Sequence, residues 1–332
     1  MILESGLNLN LRPLKYPLFH ERFKIAIKNT WTLDDIDLST DLIDLDSKIT
    51  LHERRGLEIV LAFFTDGKQI VARHLVEDLY MHLNCPEAKL YLSRQLFEES
   101  LHIQFYLTLL DAYLPQPDRQ AKIHTLVGKI PSISKKTQFC LKWSNSIKDL
   151  KNLNTHEDRK KFLLNLIGFS TCVEGIFFSG AFAYICFLHS KKLLPGLGVG
   201  TQRILHDELQ HFNFSLDLIE TIRKEDPSLF SQSLNELVVQ MIEDAIECEM
   251  AFAEEIFAEE ISGLSLRGMR QYLEFVADQK LDSLGMPVRY HVKNPFYFMD
   301  WPKHQEYPTF SIGRDFSVKV PCNELYFSDK TL

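Results

Sequence analysis

Two short pairs in this chain have the residue types and the spacing of metal chemistry: Glu99-Ser-Leu-His102 and Glu208-Leu-Gln-His211. Positions i and i+3 share one face of a helix, so each pair presents a carboxylate and an imidazole to the same point. The surrounding residues are apolar, with Leu96, Phe97, Leu101 and Phe105 near the first pair and Ile204, Leu205, Leu209 and Phe212 near the second. A third carboxylate, Glu174, stands in Thr171-Cys-Val-Glu-Gly-Ile-Phe-Phe178 with apolar flanks on both sides. A carboxylate buried there has to be paired, protonated or metal-bound. A hydrogen bond to a helix terminus is one way to satisfy it. A helical bundle offers another, in which two helices each give a Glu-x-x-His motif and two others each give a carboxylate to a di-iron or di-manganese site. Three of those four helices are represented. Tyr106 lies about two helical turns beyond Glu99, close to the same face. It is either a core tyrosine bonded to a neighbour or a redox tyrosine shielded from water. Phe178, Phe182 and Ile204 stand at helical offsets from Glu174 and Glu208, and would form a dry collar around the same interior.

Helices have to position these side chains, and the hydrophobic pattern supplies them. From about Leu51 onward, apolar residues recur at helical spacing with short breaks. The pattern predicts helices over Leu57–Leu83, Pro86–Leu114, Phe139–Leu150, Lys161–Leu188, Thr201–Arg223, Ser233–Ile261 and Gly268–Leu284. Alternating period-2 runs are nearly absent, so the expectation is an all-α bundle with its body over residues 51–300. Residues 1–50, with Pro13, Pro17 and the acidic stretch after Trp31, read as an extended arm lying on that body. Residues 301–332 read as a flexible tail that docks on a partner. Pro195-Gly-Leu-Gly-Val-Gly200 reads as an interhelix loop; it follows a helix rather than a strand, which removes the dinucleotide-binding reading.

Bulk properties narrow the function classes. The 332 residues are 45% hydrophobic and 25% charged, which excludes disordered and fibrous classes. A net charge of -8 argues against a nucleic-acid partner. Six cysteines, Cys85, Cys140, Cys172, Cys186, Cys248 and Cys322, are scattered without a C-x-x-C pair, as expected of free thiols in a reducing compartment. The opening Met-Ile-Leu-Glu-Ser-Gly lacks a basic and an apolar signal region, and the apolar run Ile176–Leu188 is short for a bilayer span of about 20 residues. The expectation is a cytoplasmic protein with no membrane partner.

The segment Leu96-Phe-Glu-Glu-Ser-Leu-His102 with Tyr106, then Glu174, then His206-Asp-Glu-Leu-Gln-His211, resembles the small, radical-generating subunit of class I ribonucleotide reductases, a ferritin-like fold. The resemblance runs in order from Trp31 to about Arg314 and includes Gly285-Met-Pro-Val and Asn294-Pro-Phe-Tyr-Phe-Met. It implies that Glu99, His102, Glu174, Glu208 and His211 are ligands of iron or manganese and that Tyr106 is the radical tyrosine. It further implies that Trp31 and Asp207 serve long-range electron transfer coupled to proton movement. The protein would be a homodimer whose tail docks on the large (alpha) subunit, where ribonucleotides are reduced, with Tyr326 as the relay at that junction.

One position departs from the family. The remaining carboxylate ligand falls, in register, on Lys68; Asp66 is nearby, but two residues turn a helix by about 200° and put it on the opposite face. Four carboxylates balance two divalent cations, whereas three glutamates and an ammonium leave a charge that one divalent ion balances. The expectation is a salt bridge from Lys68 to a glutamate and at most one tightly bound metal. A neutral Lys68 ligand and a Lys68 carbamate are the alternatives. Two other functions fit the same residues: a stand-alone ferritin-like oxidase with its own substrate pocket, and a non-catalytic scaffold paralogue, supported by Lys68 alone.

Overall fold

The computed structural model describes residues 1–4, 6, 10–145, 147, 150, 152–256 and 263–300. Among them are α1 (Pro17–Lys28), α2 (Ser39–Ser47), α3 (Leu51–His74), α4 (Pro86–Tyr113), α5 (Pro117–Val127), α6 (Pro131–Asn145), α7 (His156–Gly168), α8 (Ser179–Ser190), α9 (Pro195–Glu225), α10 (Gln232–Ile256) and α11 (Leu266–Ser283). No strand occurs among the described residues, and no helix among them is long and apolar enough to cross a membrane. Helices α3, α4 and α9, with the chain between α7 and α8, surround the centre; α10 and α11 pack outside.

Local chemistry explains the starts. Thr50 and Glu53 form a reciprocal capping box on α3, and Thr155 and Asp158 do the same on α7. Pro86 and Pro195 open α4 and α9, where a missing N–H costs nothing. The ends are sharpest where proline or a tight turn follows, as at Tyr113 before Pro115.

Five readings from the pattern need correction, the first being Phe139–Leu150, where the helix is instead α6, Pro131–Asn145. The segment Lys161–Leu188 is not one helix: α7 widens into a π-helical turn at Phe169–Val173, and α8 begins only at Ser179. Both sides of the break are buried apolar residues, so periodicity carries no trace of it. The run Leu57–Leu83 likewise ends in a π-helical turn at Leu75–Tyr80. Pro195–Gly200 is the first part of α9 rather than a loop. The Asp41 carboxylate accepts the free N–H groups of Gly196 (2.8 Å) and Leu197 (2.7 Å). A Cβ on Gly200 would lie 2.1 Å from the Phe105 ring, so a glycine keeps its place there for closeness and not for looseness. Finally, the first fifty residues do lie on the body, but they include helices α1 and α2, which pack on α4 and α9. Cys85, Cys140, Cys172, Cys186 and Cys248 are free thiols. Residues 301–332, including Cys322 and Tyr326, lie outside the described residues.

Candidate metal centre

Helices α4 and α9 are amphipathic in an unusual sense. Phe97 and Leu209 are exposed, at 50% and 53%, while Glu98, Glu99, His102, Glu208 and His211 are buried. Burying that many ionisable groups is tolerable only if they satisfy one another or an ion. Lys68 comes in from α3, and Glu174 directly follows the π-helical turn, whose wider winding re-aims the chain there. All six sequence-identified positions of the centre therefore meet in one interior cluster.

The two imidazoles are oriented from outside. His102 Nε2 donates to Asp207 Oδ2 at 3.1 Å and His211 Nε2 to Glu98 Oε2 at 2.9 Å. Arg94 in turn holds Glu98, at 2.9 Å. Both Nδ1 atoms are left pointing inward. His102 Nδ1 is 3.4 Å from Glu208 and 3.7 Å from Glu99; His211 Nδ1 is 3.3 Å from Glu99 and 3.9 Å from Glu208. Gln95 donates to Glu174 Oε1 at 3.1 Å, leaving Oε2 unused. Lys68 Nζ, fully buried, is 3.1 Å from Glu99, bonds Glu208, and lies 4.8 Å from the Phe178 ring centroid.

The field of the cluster follows. Burial pushes every carboxyl up, but Lys68 overrides it at Glu99, which falls to about 2, and at Glu208, which falls well below its usual range. The same two carboxylates keep Lys68 charged despite burial. Glu174 lacks such a partner: burial and the charges of Glu208 and Glu99 push it up to about 8, against the pull of His211. Burial disfavours charge on His102 and His211, yet the hydrogen bonds their rings donate to carboxylates raise His102 to about 10 and His211 well above its ordinary value. A divalent cation would draw on the same negative field in exchange for those protons.

The donor set fits a metal. His102 Nδ1, His211 Nδ1, Glu174 Oε2 and Glu208 Oε2 are buried polar atoms without a hydrogen-bond partner. One ligand atom each from Glu99, Glu174, Glu208 and His211 lies within 4.8 Å of the others. Carboxylates fixed by hydrogen bonds and imidazoles held by second carboxylates are the standard outer supports of such a site.

A model of the ribonucleotide reductase small chain matches residues 8–295. The chain belongs to that family. A ribonucleoside-diphosphate reductase small subunit of Dictyostelium discoideum is 32% identical over 305 residues, covering 92% of this chain and 84% of its own length. A small chain of Trypanosoma brucei brucei is 33% identical over 288 residues, covering 87% and 80%. Among solved structures, the Rnr4 homodimer of Saccharomyces cerevisiae superimposes with a TM-score of 0.75 at 25% identity, over 90% of this chain and 88% of that one.

The remaining sequence-identified residues divide. Tyr106 is fully buried, stacks on Phe64 with centroids 4.5 Å apart, and its hydroxyl has no hydrogen-bond partner. Burial first, then Glu208 and Glu99, raise it well above its ordinary value. Phe178 and Phe182 flank the same Phe64 ring, at 5.6 and 4.8 Å, and Ile204 is buried on α9. Trp31 Nε1 donates to Asp207 Oδ2 at 2.8 Å, so one oxygen joins Trp31 to His102. Those two bonds and one from His206 overcome burial and hold Asp207 well below the usual carboxylate range. The Asp66 side chain is outside those described. Sequence reasoning missed Phe64, Glu98 and Arg94. The signal for the last two was present, since Arg94 and Glu98 are one turn apart on the helix that carries Glu99. It also missed Lys280 on α11, 3.3 Å from the Phe212 ring centroid and lowered to about 8 by burial against the pull of Glu174 and Glu208.

Proposed function

We propose that this chain is the radical-holding small subunit of a ribonucleoside-diphosphate reductase and that Tyr106 stores the oxidising equivalent. The observation that carries this is a dry phenol without a hydrogen-bond partner beside a buried Glu and His cluster, with a continuous hydrogen-bonded line from His102 through Asp207 to Trp31. Glu99, Glu174, Glu208 and His211 would hold iron or manganese, which when bound supplies the oxidising power. Tyr106 resists becoming a phenolate, because burial and two nearby carboxylates oppose a second negative charge. Any oxidation of Tyr106 would therefore start from the neutral phenol and not from a phenolate. Phe64, Phe178 and Phe182 exclude water and offer the radical no hydrogen to abstract as readily as a polar neighbour would. Asp207 holds the Trp31 indole N–H and the His102 ring in one line, a geometry suited to moving charge toward the surface and a large subunit. The tail after Pro302 is assigned to docking on that subunit with Tyr326 as its relay, and the assembly to a homodimer, as described for the yeast relative.

A stand-alone oxidase needs a substrate cavity at the ligands. A cavity of about 70 Å³ is lined by Phe63, Gly67, Lys136 and Phe178 but by no ligand residue, far below the roughly 300 Å³ of a small-molecule site. The test is electron spin resonance of the metal-loaded protein before and after Tyr106→Phe, together with turnover of a mixture with the large subunit. A tyrosyl signal present only in the unsubstituted protein, and turnover lost with it, is the expected result. A signal that survives the substitution moves the radical elsewhere, and turnover without any radical removes the reading.

A further inference from the structure

The cluster already contains one cation, and it is part of the chain. Glu99 and Glu208 reach both halves. On one side they face His102 Nδ1, and there the Lys68 ammonium lies 3.1 Å from Glu99 Oε2 and bonds Glu208 Oε1, the same two oxygens that His102 Nδ1 approaches at 3.7 and 3.4 Å; it also reaches Glu99 Oε1, on the His211 side, at 3.3 Å. On the other side they face His211 and Glu174, and the four ligand atoms within 4.8 Å of one another come from Glu99, Glu174, Glu208 and His211 without His102. A metal ion held by His102, Glu99 and Glu208 would need those oxygens at about 2.0–2.2 Å. It would crowd the ammonium, which is fully buried with its charge over Phe178.

We propose that Lys68 permanently replaces one metal of the centre, so that the protein binds a single divalent cation, in the half made by Glu99, Glu174, Glu208 and His211. Charge agrees with geometry. Once a metal has displaced the protons of Glu174 and His211, and with His102 offset by Asp207, three carboxylates and one ammonium leave two negative charges, which one divalent ion cancels; a second ion would bring two uncompensated positive charges into a buried site. The two histidines thereby acquire different duties. His211 binds metal, whereas His102 links the cluster to Asp207 and Trp31. The proposal rests on the reductase reading only in taking the bound species to be a divalent transition metal.

Manganese(II) binding to the full chain under anaerobic conditions tests it. The expected result is one ion per chain with the six-line spectrum of an isolated ion. His211→Ala should weaken binding by at least about tenfold, as loss of a ligand does, while His102→Ala keeps one ion with affinity within a few-fold. Lys68→Glu should raise the count to two with a spin-coupled spectrum, circular dichroism confirming the fold. Two ions in the unsubstituted chain, no ion at all, or dependence on His102 rather than His211 would each overturn the assignment. The count is independent of turnover with a large subunit, so failure here leaves the reductase reading standing, and failure of that reading leaves the count.

Discussion

At the scale of single residues, the centre depends on side chains that touch no ligand atom directly. Glu98 fixes the His211 ring by accepting from Nε2, while Arg94 donates to Glu98 and holds it in place. Glu98→Gln removes that charge and lowers the basicity of the facing nitrogen, so manganese affinity measured by titration calorimetry should fall about 10- to 100-fold with the fold intact. Trp31 matters at the opposite end. Trp31→Phe keeps the ring but deletes the N–H that reaches Asp207. The tyrosyl signal should keep its amplitude while turnover with the large subunit collapses; unchanged turnover would show that charge leaves by another path. The Glu-x-x-His pairs, Glu174 and Tyr106 were all legible from residue type and spacing. Glu98 was not separable from its neighbour Glu99, because a pair of adjacent glutamates does not say which one faces the centre and which one supports it.

Among the elements, α9 shows how close approach is built. Gly200 lets the helix press on the Phe105 ring, which also meets Trp31 edge-on and Tyr106. Alanine would gain about 1 kcal/mol in helix propensity but incur an overpacking cost of about 1–3 kcal/mol, and an overlap at 2.1 Å belongs at the upper end. Gly200→Ala should therefore lower thermal stability, and a raised melting temperature would mean that Phe105 moves freely. Helix α11 is tied to the chain after it by Asp278, which accepts from the backbone N–H groups of Arg289, Tyr290 and His291 at 2.8, 2.9 and 2.6 Å. Burial opposes its charge, but these three bonds outweigh burial and lower it. A carboxyl lowered on folding stabilises the protein above its unfolded value, about 3.9, and the contribution disappears as pH falls through the folded value. Acid unfolding should thus be less steep in Asp278→Asn than in the unsubstituted chain, the difference lying below about pH 4. The π-helical turns that terminate α3 and precede Glu174 were invisible to periodicity, because one added residue in a single turn shifts the apolar spacing too little to show, and Phe169–Val173 is buried throughout.

Across the whole molecule, the assigned division of labour is a helical body that keeps a radical dry and a tail that delivers it. Truncation after Pro302 should abolish turnover in a mixture with the large subunit and leave the tyrosyl signal and metal content untouched; full turnover by the truncated chain would dispose of the docking role. The amino-acid sequence by itself determined the class of fold and the chemistry, because 3.6-residue periodicity and i, i+3 donor spacing are local properties of a helix and survive in one dimension. It also contained the charge mismatch at Lys68, since counting ions needs only a register. Which half of the cluster the ammonium fills was decided by three-dimensional packing alone: Lys68 and Glu99 lie 31 residues apart, Lys68 and Glu208 lie 140 apart, and only the assembled α3, α4 and α9 bring them together. The same holds for Asp207 joining Trp31 to His102, and for Asp41 turning an apparent glycine loop into the start of α9. In each case the partner that satisfies a buried polar group comes from a distant segment, and a cost of burial that must be met says that a partner exists without saying which.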